Sequence, residues 1–269
     1  MKIIRNIGDL KKEIKKLSNL GFVPTMGGLH NGHISLIKES KKKCKKTLVS
    51  IYVNPKQFNK YKDFRTYPRN LNKDLKILKK LKVSLLFLPK TKDIFKKEYK
   101  RNILPKSQKK LCAKFRKGHF EGVLDIMDKF IKLINPKYIF MGEKDFQQLF
   151  LINKFIIKKY NSKIYQCKTI RDKNFVALST RNYLLDKTNL IKAGFIAKNL
   201  HKFKQKLKKI KKINKYILNK KRELINKFAI KIEYLEVLNE ADLKVYRYKS
   251  KFKLFIAYHI DKVRLIDNF

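Results

Sequence analysis

Two histidines three residues apart, His30 and His33, stand in residues 22–36, FVPTMGGLHNGHISL, among the glycines Gly27, Gly28 and Gly32. Glycine lets a backbone come close to a ligand and take φ > 0 at little cost. An apolar run, Gly21, Phe22 and Val23, precedes this loop, and helical sequence follows from about Asn31. A helix starting there aims unpaired N–H groups and the positive end of its dipole at whatever occupies the loop. That arrangement suits a polyphosphate, with Met26, Gly27, Gly28, Leu29, His30, Asn31, Gly32 and His33 as its cradle. The imidazoles can donate hydrogen bonds to developing negative charge. Metal binding by the histidine pair is the competing chemistry, but the loop holds no Cys and no carboxylate, the nearest acid being Glu39. An incidental glycine turn is the plain alternative, and the strand–loop–helix placement weighs against it.

Other polar groups fall at comparable places. Asn54 and Gln57 follow a β-rich run, 47–53 (TLVSIYV), which reads as a buried parallel strand. Gly142, Glu143, Lys144, Asp145 and Gln148 follow a short strand over 138–141 and lead into a helix. Ala177, Leu178, Ser179, Thr180, Arg181 and Asn182 follow a strand over 164–169 and offer a hydroxyl and a guanidinium to phosphate. Open α/β sheets bind ligands at the carboxyl ends of their strands.

The elements that must hold these groups read as follows. Asp9 can cap a first helix running to Leu17, and 83–88 is a further apolar strand. Residues 89–118 lack clear periodicity and suggest a lid or a dimer surface over the sheet edge. GHFEG, at 118–122, opens an apolar helix, 123–134, that carries Ile126 and Met127 and is broken by Pro136. Alternating strands and helices predict an α/β fold, a Rossmann-like doubly wound parallel sheet over residues 1–170. Residues 171–269 read as a second, smaller α+β domain: Lys-rich helical sequence to about 228, then strands at 231–238, 252–258 and 263–266. Within it, Ile210, Ile213, Ile217 and Leu218 keep a helical spacing, so 202–221 reads as an amphipathic helix rather than a linker.

Composition narrows the classes. With 269 residues, 43% hydrophobic content, 19 Phe and 13 Tyr, the chain can bury a core and is no disordered polyelectrolyte. The net charge of +48 invites a nucleic-acid reading. Against it, the lysines are spread over every segment and only ten of the 69 basic residues are arginine, the residue that reads bases and phosphates bidentately. Lysine spread over a solvated surface, as a biased genome composition would produce, is the favoured account, and nucleic-acid binding is not expected. Cys44, Cys112 and Cys167 have neither metal spacing nor a disulfide framework, which points to a reducing cytoplasm. No run is long enough to span a bilayer and no signal peptide is evident, so no membrane partner is expected.

In order along the chain, PTMGGLHNGH, SIYVNPKQF, YPR with Asp74, GHFEGV, FMGEKDFQQL and ALSTRN resemble the pantoate–β-alanine ligase family. The resemblance extends to the closing RLIDN. It implies ATP-dependent activation of pantoate to pantoyl adenylate, with release of pyrophosphate, and then attack by the amine of β-alanine to give pantothenate and AMP. Carried over to this chain, it implies that His30 and His33 contact the phosphates of ATP, with His33 as proton donor. Lys144, Ser179 and Arg181 also hold phosphate, Gly142 and Asp145 meet the ribose, and Ile170 offers a backbone contact to adenine. Gln57 and Gln148 bind pantoate, Gln57 lies where β-alanine binds, and Met26, Ile126 and Met127 form an apolar wall. The resemblance also implies Mg²⁺ bridging the phosphates, with Asp74 as the best-placed carboxylate, and a homodimer. The chain departs from the family pattern at Asp125 (usually Thr), Lys168 (usually Pro), Phe175 (usually Gly) and Thr180 (often Ser). The alternatives are another HxGH nucleotidyltransferase that activates a different acid, and a basic nucleic-acid-binding protein.

Overall fold

A computed structural model of the chain describes residues 1–59, 61–95, 99, 101–208 and 210–269. They form two compact units, Met1–Lys168 and Thr169–Phe269. The first unit runs β1 (Lys2–Ile4), α1 (Ile7–Ile14), β2 (Leu20–Thr25), α2 (Asn31–Lys43), β3 (Lys46–Ile51), α3 (Tyr61–Arg65), α4 (Leu71–Lys80) and β4 (Leu85–Phe87). It continues with α5 (Thr91–Ile94), α6 (Cys112–Phe115), α7 (His119–Ile134), β5 (Tyr138–Gly142), α8 (Phe146–Phe155) and β6 (Lys163–Cys167). The six strands lie in the order β1-β4-β3-β2-β5-β6, and every pairing is parallel.

This order has a functional corollary. From β2 the chain works outward through β3 to β4 on one side, then returns to lay β5 and β6 on the other. The direction of winding reverses between β2 and β5, and a crevice opens at the carboxyl ends of such a pair because the following loops turn to opposite faces. The loops in question are those carrying His30 and Lys144.

Both faces of the sheet are covered, so its strands are continuously apolar rather than alternating. Val23, Val49, Leu86 and Phe140 pack with Leu36 and Ile37 of α2 and Leu78 of α4 in one cluster. On the other face Phe130 of α7 meets Phe22, Tyr52 and Phe87 edge-on, with ring centroids 5.8–6.0 Å apart. Aromatic pairs favour that geometry. Helix α7 ends at Asn135, in the left-handed region at φ 45°, and Pro136 follows.

The sequence reading differs from the structure in detail. Asn6, not Asp9, caps α1: its Oδ1 accepts from the Asp9 N–H at 2.8 Å. The edge strand β1 was not anticipated, being three residues long and exposed on two of them. Residues 89–118 are not featureless: α5, α6 and a 3-10 turn at Lys106–Gln108 lie there, although residues 96–98 and 100 fall outside the described set.

The second unit holds α9 (Lys187–Leu207), α10 (Asn214–Phe228) and an antiparallel sheet of β7 (Lys231–Asn239), β8 (Phe252–Ile260) and β9 (Val263–Asn268). Leu200, Leu207, Leu224, Leu254 and Ile256 are fully buried in one core between helices and sheet. The single helix expected over 202–221 is interrupted between α9 and α10. Ile213 turns into this core while Leu218 stays half exposed, so packing overrides the helical spacing.

Candidate active site

The loop after β2 is built around a carboxylate. Gly27 and Gly28 take φ +78° and +62°, the left-handed region that favours glycine. A Cβ on Gly27 would stand 3.0 Å from Asp74 Oδ2 and 3.1 Å from Ile51. Asp74 reaches in from α4, and its two oxygens accept the N–H groups of Gly28 at 2.9 Å and Leu29 at 2.7 Å. Burial pushes its pKa up, and the two N–H donors oppose that rise. Asp74 is thus committed to folding the loop: it is 2% exposed, and no cluster of three His, Cys, Asp or Glu suited to a metal exists among the described residues. A role for Asp74 as a Mg²⁺ ligand would have to share the same two oxygens that hold the loop.

The two histidines fasten the start of α2 reciprocally. His30, the N-cap, accepts the Gly32 N–H on Nδ1 at 3.1 Å, and His33 accepts the His30 N–H on its own Nδ1 at 3.3 Å. With Nδ1 an acceptor in both rings, each neutral imidazole carries its proton on Nε2. The rings lie 4.1 Å apart. Burial, with Lys144 adding to it against the opposing Asp145, lowers the His30 pKa to about 4. Burial, then the neighbouring His30, lowers that of His33 to about 3. With the pKa of both rings lowered, each is uncharged at neutral pH and presents Nε2–H as a hydrogen-bond donor.

The 3-10 turn Glu143–Asp145 follows β5, and the charges of its Lys144 and Asp145 act on both histidines. Lys144 Nζ lies 3.3 Å from Asp145 Oδ1, and its side chain is 15% exposed. Helix α8 starts directly after this turn with Gln148 in its first turn. Two neutral N–H donors and an ammonium thus gather at the reversal point of the sheet, an arrangement suited to an anion whose charge grows during reaction.

Asn54 and Gln57 sit in the turn after β3. Asn54 is 1% exposed, and its carboxamide is spent locally: Oδ1 accepts the Lys56 N–H and Nδ2 donates to the Gly122 carbonyl at 2.9 Å. It shapes the turn rather than offering a free group to a substrate. Gln57 is held by its backbone, whose carbonyl meets His119 Nδ1 at 2.7 Å and Arg116 Nη2 at 3.4 Å. No hydrogen bond engages the carboxamides of Gln57 or Gln148 among the described residues. Met26 is partly buried, whereas Ile126 and Met127 are each 4% exposed within the face of α7 that meets the core.

In the second unit, the Leu178 N–H donates to the Ile170 carbonyl at 2.9 Å, so that carbonyl already has a partner. Ser179 caps a 3-10 turn, Thr180–Leu184, accepting the Arg181 N–H on Oγ. Thr180 is 5% exposed and Arg181 is partly exposed. The approach to this loop is anchored by Arg171, bidentate to Asp267 at 2.7 and 2.9 Å and flanked by the rings of Phe175 and Phe269. Phe175 itself lies at φ 77°. A glycine would adopt that angle freely, and the ring's place over the guanidinium accounts for a side chain there.

Sequence reasoning missed the loop-forming role of Asp74 and the tethers from Arg116 and His119 to Gln57. The GHFEG motif drew attention to itself, but nothing local tied it to a turn some sixty residues earlier.

A family model described as pantoate-beta-alanine ligase matches residues 2–269. A pantothenate synthetase of Francisella tularensis subsp. mediasiatica is 37% identical over 270 residues, which cover 99% of this chain and 95% of the relative. One from Pseudothermotoga lettingae is 34% identical over 275 residues, covering 100% of this chain and 98% of the relative. Among solved structures, a pantothenate synthetase from Thermus thermophilus superposes with a TM-score of 0.91 at 25% identity, covering 100% of this chain and 99% of that one. The Francisella tularensis pantoate-beta-alanine ligase, complexed with beta-gamma ATP and beta-alanine, superposes with a TM-score of 0.84 at 37% identity, covering 100% of this chain and 97% of that one.

Proposed function

Because the chain belongs to the pantoate–β-alanine ligase family, we propose that it condenses pantoate with β-alanine at the expense of ATP. In the first step a pantoate carboxylate oxygen bonds to the α-phosphorus as the bond from that phosphorus to pyrophosphate breaks. In the second the β-alanine amine bonds to the acyl carbon, AMP departs with its oxygen, and the amine sheds a proton. Two anions must meet before the first step, so neutralising charge and holding geometry are the main tasks.

The observation that carries this reading is the pairing of His30 and His33, neutral and donating through Nε2, with Lys144 beside them. In the proposed roles the two Nε2–H groups and the Lys144 ammonium stabilise the phosphates, and Ser179 and Arg181 supply further donors. The backbone of residues 26–33, with Gly142, Glu143 and Asp145, receives the rest of the nucleotide, joined by Ile170, Leu178 and Thr180. Gln57 and Gln148 hold pantoate, a ligand whose hydroxyls and carboxylate suit a group offering both donor and acceptor. Mg²⁺ enters with ATP as part of the substrate. A homodimer in the cytoplasm completes the reading.

ATP–pyrophosphate exchange tests it. Exchange that requires pantoate, reduced about 100-fold or more in His33→Ala and Lys144→Ala proteins that remain folded, is the expected result. Exchange with another acid but not pantoate would overturn the reading.

A further inference from the structure

We propose that Asp125 and Tyr99 are positioning residues for the turn that presents Gln57, and that they set the affinity for the organic acid. The proposal rests on the role given above to Gln57. Lys56, its neighbour in the turn, sends its ammonium to the Tyr99 hydroxyl. The same ammonium lies 4.4 Å from the ring centroid of Phe95 and 4.1 Å from that of Tyr99. The Tyr99 hydroxyl in turn donates to Asp125 Oδ2 at 3.3 Å. The side chain of Asp125 is wholly buried, at 0% exposure. Its Oδ1 accepts both the backbone N–H of Asn102, at 2.7 Å, and the side-chain amide of Asn102, at 3.0 Å, and Arg101 Nε approaches Oδ2 to 3.7 Å.

A carboxylate is buried only with partners that offset its lost hydration. Here the offset comes from Arg101, from Asn102 and, through the phenol, from Lys56. The main chain of the same turn is fixed independently one helical turn away on α7. A Cβ on Gly122 would stand 2.3 Å from the Lys56 carbonyl oxygen, and the Gly122 carbonyl accepts from Asn54. Gly122 and Asp125 are three apart and share a face of the helix. The turn is thus pinned by its backbone at Gly122 and by its side chain, through Tyr99, at Asp125. Gln57 lies directly beyond the doubly held residue.

Wild-type exchange with pantoate is measured first; its absence defeats the proposed function and not this inference. Given that exchange, Asp125→Asn keeps shape and volume but loses the charge and the acceptor facing Tyr99. It is expected to raise the KM for pantoate about five- to tenfold while the KM for ATP stays within about twofold. Tyr99→Phe, which removes only the hydroxyl, should act in the same direction. The double variant should be no worse than Asp125→Asn alone, because one line of contacts is being cut twice. If both KM values move together, if neither moves while only thermal stability falls, or if the two effects multiply, the proposal is wrong.

Discussion

A histidine three residues from another is a common spacing with several uses, and here the hydrogen bonds select among them. His30 and His33 each spend Nδ1 on a backbone N–H of the helix they begin, and this leaves Nε2–H as the group each can present to a ligand. The depressed pKa values make a pH prediction with a definite sign. Below the ordinary value of 6.5 the unfolded chain takes up protons on these rings, while the folded chain resists until about 4 for His30 and about 3 for His33. The stability associated with these rings is therefore complete above pH 6.5 and is lost as pH falls from there through the folded-state values. Thermal melts between pH 7 and 4 should show the decline, and a His30→Gln/His33→Gln protein should show a shallower one. An equally steep decline in that variant would assign the effect to other groups. The histidines and their flanking glycines were legible in the sequence because spacing and loop position carry the signal. Their protonation state was not, because it depends on burial and on a lysine more than a hundred residues away.

The helix α4 matters at the scale of elements because its first turn delivers one carboxylate to the glycine loop. Asp74 answers the N–H groups of Gly28 and Leu29, which the positive φ angles of Gly27 and Gly28 turn inward. Replacing it by Asn keeps one acceptor but sets an NH₂ group against a backbone N–H. The expected cost is about 2–3 kcal/mol of stability. The KM for ATP should rise, because the loop proposed to receive the nucleotide loses its template. Denaturant melts and exchange kinetics read both. An Asp74→Asn protein of unchanged stability that fails only when Mg²⁺ is limiting would restore the metal-ligand role. The parallel strands themselves were readable, as apolar runs with polar residues at their carboxyl ends. What the sequence hid was partnership across long separations: 74 with 28, 119 with 57, 125 with 99. No periodicity records which turn meets which helix. Short edge elements such as β1 were hidden for a different reason, since three residues with one buried side chain carry almost no pattern.

Across the whole molecule, charge is the property most easily misread. A formal charge of +48 on 269 residues belongs to a chain whose proposed substrates ATP and pantoate are anions. Dispersed positive charge raises the encounter rate with anions over distances comparable to the Debye length, and salt removes the effect. Raising salt from about 0.05 to 0.5 M should lower kcat/KM for ATP at least about threefold, with kcat changing much less. A flat profile would mean that the lysines serve solubility alone. The fold class was legible from alternation, and the second unit's three strands from their β-rich runs. The break between α9 and α10 was not, because no Gly or Pro marks it: α9 ends at Leu207, and a buried Ile213 precedes α10.

The reversal of winding between β2 and β5 also dictates when a nucleotide can matter to the growing polypeptide. The histidine loop emerges early, but the neighbouring strand that completes its crevice ends only at Gly142, after the whole excursion through β3, β4 and α7. Contacts so distant in sequence form late. On the proposed placement of ATP at this crevice, the nucleotide has nothing to grip during the first half of synthesis, and its stabilising effect is expected on the finished sheet, as slower unfolding rather than faster folding.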